Sequence, residues 1–272
     1  MSRALPIPMY HHISPEPGLV TSSPTTFRSQ MRQLAEAGYR SLHADEALAA
    51  LRGETPIARK SMLLTFDDGF LDNWVHAYPI LKEYGLCATV FVITGRIGDG
   101  PRRPNAGDIG PIPATPSHRA CHEAVQSGRT DDVMMRWSEL EEMLATGVFD
   151  IHSHTHSHRR WDQEIADPEQ RIEAVERDLQ LSQNLLRERL GVTSRHLCWP
   201  WGVYEERWRE AALRIGFEAL YTTRPGINTQ KTRIDAIHRF PVKDRADAWL
   251  VKRSGLYGNS WLGSLYSSLR RD

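Results

Sequence analysis

The stretch Ser61-Met62-Leu63-Leu64-Thr65-Phe66-Asp67-Asp68-Gly69 decides the architecture. Met62, Leu63 and Leu64 are apolar without alternation, as in a strand covered on both faces of a parallel sheet. Two adjacent carboxylates then close the strand where a loop begins. Outward from this stretch, strands and helices alternate. Strands are expected over 7–13, 61–66, 87–93, 148–151, 196–199, 219–223 and 234–242. Helices are expected between them. One starts at Ser23-Pro24 and carries Phe27, Met31 and Leu34 on one face; another covers 43–52 and stops at Gly53. Further helices are expected over 72–84, kinked at Pro79, over 137–146, from the Asp167-Pro168 cap to Gly191, over 206–215 and over 247–252. This order predicts an α/β chain with a parallel sheet, closed as a barrel or open and doubly wound. Residues 95–116 are rich in Gly and Pro and lack periodicity, which marks an insertion or an active-site flap. The insertion is expected to reach about residue 136, and a short extension to begin near 253. The whole, 1–272, is expected to be one domain.

In a parallel barrel, functional side chains collect at the carboxyl ends of strands. Asp67 and Asp68 stand at one such end. His152, His154, His156 and His158 follow the strand over 148–151, and Pro200-Trp201-Gly202 follow the strand over 196–199. Taken alone, the aspartates could be a polar turn and the histidines a solvated loop. Together they offer a divalent metal one carboxylate and two imidazoles, with a second carboxylate left as a base. That is the inventory for metal-assisted hydrolysis.

Composition narrows the alternatives. Lys+Arg and Asp+Glu both number 34, so net charge is zero and no electrostatic footprint for nucleic acid or an anionic membrane is present. No apolar run is long enough for a transmembrane helix. Cys87, Cys121 and Cys198 show neither metal-finger spacing nor a disulfide framework and read as reduced thiols. With no apolar leader at the start, the expected location is cytoplasmic.

In this order, Thr65-Phe66-Asp67-Asp68-Gly69, His154-Thr155-x-x-His158 and Cys198-Trp199-Pro200-Trp201-Gly202 resemble the polysaccharide deacetylases of the NodB-homology group, carbohydrate esterase family 4. Met9-Tyr10-His11-His12-Ile13 and the run over 27–39 resemble the branch that de-N-acetylates poly-β-1,6-N-acetylglucosamine. The resemblance spans about residues 7–245. It implies a distorted (β/α)₇ barrel and a divalent metal, zinc by expectation, held by Asp68, His154 and His158. It makes Asp67 the general base. It also implies an oxyanion donor in the backbone N–H of Trp201, with Pro200 beside it.

Two departures from the family pattern stand out. Cys198 occupies the position where many members carry an arginine that braces the catalytic aspartate. The family's acid, a histidine on a late strand, matches only Ala236-Ile237-His238-Arg239. His238 and Arg239 point to opposite sides of a strand. Either His238 is the acid, or Arg239 faces inward on a carboxylate and His238 is structural. His11 could line the site or be a core histidine. His152 could stand behind a ligand, and His156 is expected to be exposed. Asp72 or Asp162 could orient a ligand imidazole. Trp161, Trp199 and Trp201 could form an aromatic wall for a sugar or pack in the core. The amphipathic tail around 261–266, with Arg270 and Arg271, is expected to dock on the barrel.

The function so implied is removal of N-acetyl groups from an amino sugar of an exopolysaccharide or glycolipid precursor. Hydrolysis of a non-sugar amide such as a cyclic imide or ureide, and a non-catalytic carbohydrate-binding barrel, are the rival readings.

Overall fold

The computed structural model of the chain describes residues 3–261. The tail beyond Trp261, including 262–266, Arg270 and Arg271, lies outside the described residues. Seven parallel strands form the central sheet: β1 Pro8–Tyr10, β2 Thr65–Asp68, β3 Ala88–Val92, β4 Phe149–Ser153, β5 His196–Cys198, β6 Ala219–Tyr221 and β7 Phe240–Pro241. Their spatial order is β6-β5-β4-β3-β2-β1-β7. The register sets Met9 beside Thr65, Phe66 beside Val90, and Val90 beside Ile151. The sheet curls so far that Ile237 bridges to Tyr221 on β6, three residues before β7 begins. The result is the distorted (β/α)₇ barrel expected from the sequence, its seam held by one residue rather than a strand pair.

Helices cover the outside. Helix α1, Pro24–Glu36, starts where the Ser23 hydroxyl accepts the Thr26 N–H at 3.1 Å, and it buries Phe27, Met31 and Leu34. Helix α2, Ala44–Arg52, ends at Gly53 with φ 79°, a left-handed position that favours glycine. The remaining helices are α3 Tyr78–Glu83, α4 His118–Gln126, α5 Trp137–Ala145, α6 Trp161–Glu164, α7 Pro168–Leu190, α8 Glu206–Ile215 and α9 Trp249–Tyr257. The Asp167 carboxylate caps α7 at the Gln170 N–H, 2.8 Å away.

Leu5, Ile7 and Leu63 lie at the amino ends of β1 and β2. They pack with Leu48 and Leu51 of α2 and with Phe91, Tyr221 and Ile237. This apolar plug closes the barrel at the strands' amino ends and leaves the carboxyl ends for chemistry.

Four expected elements differ. The strand over 7–13 breaks at His11, with Pro8–Tyr10 in the barrel and His12–Ile13 paired to Thr21–Ser22. The strand over 61–66 is two pieces, because Ser61–Met62 leaves the barrel to pair with Arg40–Ser41. The helix over 72–84 is a π-helical turn, Asn73–Ala77, followed by α3. Pro79 sits in the first turn of α3, where its missing N–H costs nothing, so the irregularity falls before it. The strand over 234–242 is a 3₁₀ turn at Ile234–Ala236, the Ile237 bridge and the short β7. The insertion over 95–136 is not structureless: it contains α4, capped by Ser117 and burying Cys121 and Ala124.

Candidate active site

Strand β2 delivers both aspartates, and they face different partners. Asp67 is 2% exposed and both its oxygens are held by one guanidinium: Arg239 Nη1 donates to Oδ1 at 2.6 Å and Nη2 to Oδ2 at 2.7 Å. Arg239, itself fully buried, also donates to Thr222 O, Thr65 Oγ1 and the Cys198 sulfur. Burial opposes the charge on Asp67, but the cation and its two hydrogen bonds outweigh it and hold the carboxyl below its usual range. Arg239 therefore gives Asp67 the brace that the resemblance assigns to an arginine at the position of Cys198. It arrives from the approach to β7 instead of from β5, and Cys198 fills the vacated place at 3.7 Å from Asp67.

Asp68 turns the other way, through a left-handed φ of 75°. Its Oδ1 is buried and accepts no hydrogen bond among the described residues. The Nε2 atoms of His154 and His158 both face that oxygen at 3.4 Å. An orphaned carboxylate oxygen aimed at two ring nitrogens is costly unless a cation completes the set. One nitrogen from each histidine and this carboxylate lie within 4.8 Å of one another. Asp67, His154 and Cys198 also lie within that distance. In that second set, however, the arginine already occupies both carboxylate oxygens. The donor set on Asp68 is thus the one that fits a divalent metal.

The loop bearing the histidines is tightly supported. His154 is oriented by its Nδ1 at 2.8 Å from the Cys198 carbonyl. Asp178, buried on α7, accepts the N–H groups of His156 and Ser157. Burial holds His158 down to about 3, which keeps its ring neutral and its nitrogen available as a ligand. Asp68, Thr155, His158 and Trp201 all adopt positive φ without being glycine, so unfavourable backbone is concentrated at this site.

The other candidates divide. His11 follows β1 and comes to the site, its Nε2 3.9 Å from Asp67 Oδ2 and its side chain 19% exposed. The Asn73 amide fixes its carbonyl at 2.8 Å. Trp201, 55% exposed, presents its ring 5.3 Å from that of His158, and Pro200 before it is buried. The pair at 238–239 resolves in favour of Arg239. The ring of His238 lies so close to Gly226 that a Cβ there would be 2.4 Å from it, and its N–H is tied to Asn228.

Trp161 packs beside the apolar cluster of Trp199, Trp208 and Leu179, and Arg159 lies over its ring. His152 lies deeper in the barrel, with Asp150 and Ser194. His156 is half-buried against Thr94. Neither Asp72 nor Asp162 is hydrogen-bonded to the ring of His154 or His158: Asp72 holds His12 at 2.6 Å and Asp162 pairs with Arg160. Asp178 went unread in the sequence because it sits inside a helix face dominated by Ile172, Val175 and Leu179.

Comparison with known proteins bears on this geometry. The chain is 29% identical to YxkH of Bacillus subtilis, a protein named as a polysaccharide deacetylase, over 88% of this chain and 71% of that one. It is 24% identical to the poly-β-1,6-N-acetyl-D-glucosamine N-deacetylase of Staphylococcus aureus, over 85% of this chain and 71% of that one. Among solved structures, the Streptococcus pyogenes deacetylase PplD shares the fold with a TM-score of 0.73 at 23% identity, covering 93% of this chain and 99% of its own. The polysaccharide deacetylase family model matches residues 54–220, more than half of the sequence and the part that carries both aspartates, His154, His158 and Trp201. The chain belongs to the polysaccharide deacetylase family.

Proposed function

We propose that this enzyme removes N-acetyl groups from an amino sugar of an exopolysaccharide or glycolipid precursor, with Asp68, His154 and His158 as ligands of a zinc ion. The observation that carries the reading is the split between adjacent aspartates: one is locked in an arginine fork, the other is left orphaned before two imidazoles. The Staphylococcus aureus relative, whose name specifies N-acetylglucosamine, supports the sugar class. A divalent ion on these ligands acidifies water and polarises the amide carbonyl.

The chain's own groups do the rest. Asp67, kept ionised by Arg239, retains lone pairs beyond the two used by the guanidinium and takes a proton from the attacking water. His11, beside Asp67, passes the proton that Asp67 takes from water on to the leaving amine, since burial lowers its own pKa; the packing of His238 against Gly226 argues against that role for His238. The Trp201 N–H is the donor for the developing oxyanion, and its exposed ring is a platform for a sugar face.

Acetate release from N-acetylglucosamine oligomers and N-acetylated glycolipids, before and after chelation, tests the proposal. Chelator-sensitive release from either supports it. Activity confined to cyclic imides or ureides overturns the substrate class, and sugar binding without any turnover overturns the enzyme.

A further inference from the structure

The turn Thr94–Arg96 follows β3 and is fastened to the histidine loop. The Thr94 N–H donates to Thr155 O at 3.2 Å and the Gly95 N–H to His156 O at 2.9 Å. A Cβ on Gly95 would sit 2.7 Å from that carbonyl oxygen, so only glycine permits the approach. The turn is therefore placed with care, and its next residue is Arg96. This arginine is half-buried, yet among the described residues its side chain makes no ion pair, hydrogen bond or ring contact. Arg59 and Arg177 are also unpaired, but they are exposed and water satisfies them. Arg96 is half-buried, and none of its guanidinium nitrogens is among the buried atoms without a partner, so its donors face solvent and are available to a ligand.

Its surroundings place it near Asp68 and His158. Burial lowers its pKa while the charge of Asp68 raises it, and its own charge bears on both His158 and His122. His122 belongs to α4, with its ring 4.5 Å from that of His118. His118 is fixed in turn by the buried His12, whose Nε2 is 3.1 Å from its Nδ1, and His12 by Asp72. The insertion thus brings two imidazoles within electrostatic reach of Asp68, as Arg96 is.

We propose that Arg96 binds an anionic group, a carboxylate or phosphate on or next to the N-acetylated sugar, with His122 as a second polar contact from α4. The proposal rests on the deacetylase reading and narrows it from N-acetylated sugars in general to acidic ones. A guanidinium fork matches either anion in a bidentate manner.

The test compares wild type, Arg96→Gln and Arg96→Lys, all metal-loaded, on three probes. These are a neutral N-acetylglucosamine oligomer, an oligomer containing N-acetylmuramic acid, and N-acetylglucosamine 1-phosphate. Wild type is expected to favour one acidic probe over the neutral one by about 10- to 100-fold in kcat/KM. Arg96→Gln should collapse that ratio, mainly through KM, and Arg96→Lys should restore part of it. The two acidic arms identify the anion.

Equilibrium binding of N-acetylglucosamine 1-phosphate and of N-acetylglucosamine to Asp67→Asn, with and without Arg96→Gln, reads anion recognition without turnover. Arg96-dependent binding of the phosphate with no deacetylation of any probe would sink the deacetylase reading and leave the anion site standing. Wild-type preference for the neutral probe, or equal losses on neutral and acidic probes with Arg96→Gln, overturns the proposal.

Discussion

Replacing Arg239 with methionine isolates the most concentrated interaction in the molecule. The side chain is fully buried and makes five polar contacts, two of them to a carboxylate that is itself 2% exposed. Methionine keeps most of the volume and removes the charge. Asp67 is then left in a site where burial is already the strongest influence on its pKa and nothing of comparable strength opposes it. Breaking one side of such a buried pair costs about 3–5 kcal/mol. For a chain of this size that corresponds to a fall in Tm of roughly 10 °C. Asp67 can escape part of the cost by taking up a proton, because its carboxyl pKa rises. It then cannot serve as a base at neutral pH, and kcat/KM should fall by about 10²–10⁴. The acid limb of the pH–rate profile should move to higher pH. Thermal unfolding, acetate release from pH 5 to 9, and the double variant Arg239→Met/Asp67→Asn form the assay. The double variant should regain a good part of the lost Tm, since the orphaned charge is gone. An Arg239→Met protein with wild-type Tm and activity within about tenfold of wild type would refute the assignment of Arg239 as the brace of Asp67.

Metal analysis should separate the two aspartates: Asp68→Ala should lose bound metal, whereas Asp67→Asn should retain it with activity lost, and equal metal loss in both would contradict the division. In the metal-free chain burial disfavours the charge on His154, but Cys198 and the two aspartates outweigh it and raise its pKa well above the usual value. Metal binding must therefore expel a proton, so affinity should rise with pH by up to about tenfold per unit below that pKa, as read by chelator competition. His43 is lifted to about 10 by its contact with Asp150, 3.5 Å away, then by Cys87, against burial. A raised folded-state pKa stabilises fully below the unfolded value of 6.5 and loses that effect as pH rises through about 10. Tm should thus drop more steeply between pH 8 and 10.5 in wild type than in His43→Gln.

Much of this was legible in the chain because strand ends and apolar runs report the barrel directly. Both aspartates, His154, His158 and Trp201 fall where the alternation of elements places them. The late segment was harder, since periodicity fixes that His238 and Arg239 oppose one another but not which faces inward. Ile237, two residues before Arg239, would share its face and so point Arg239 inward, but only if the segment is regular. The structure shows that it is not, with a single bridge at Ile237 and a strand of two residues after it. The linkage of Asp72 to His12 and His118 spans three separate elements, and no local pattern announces it. Helix α4 was missed because only Cys121 and Ala124 are buried along it, too few apolar positions to mark a face.

The seam of the barrel has a consequence for how the protein is made. Asp67 and Arg239 are separated by 172 positions, and β1 completes its pairing only with β7. During synthesis the three proposed ligands Asp68, His154 and His158 emerge well before the guanidinium that stabilises the neighbouring carboxylate. A chain cut short before residue 239 would contain all three proposed ligands and lack the brace for Asp67. Assembly of the Asp67–Arg239 pair is therefore among the most non-local events in folding, and it ties the bracing of Asp67 to near-completion of the polypeptide.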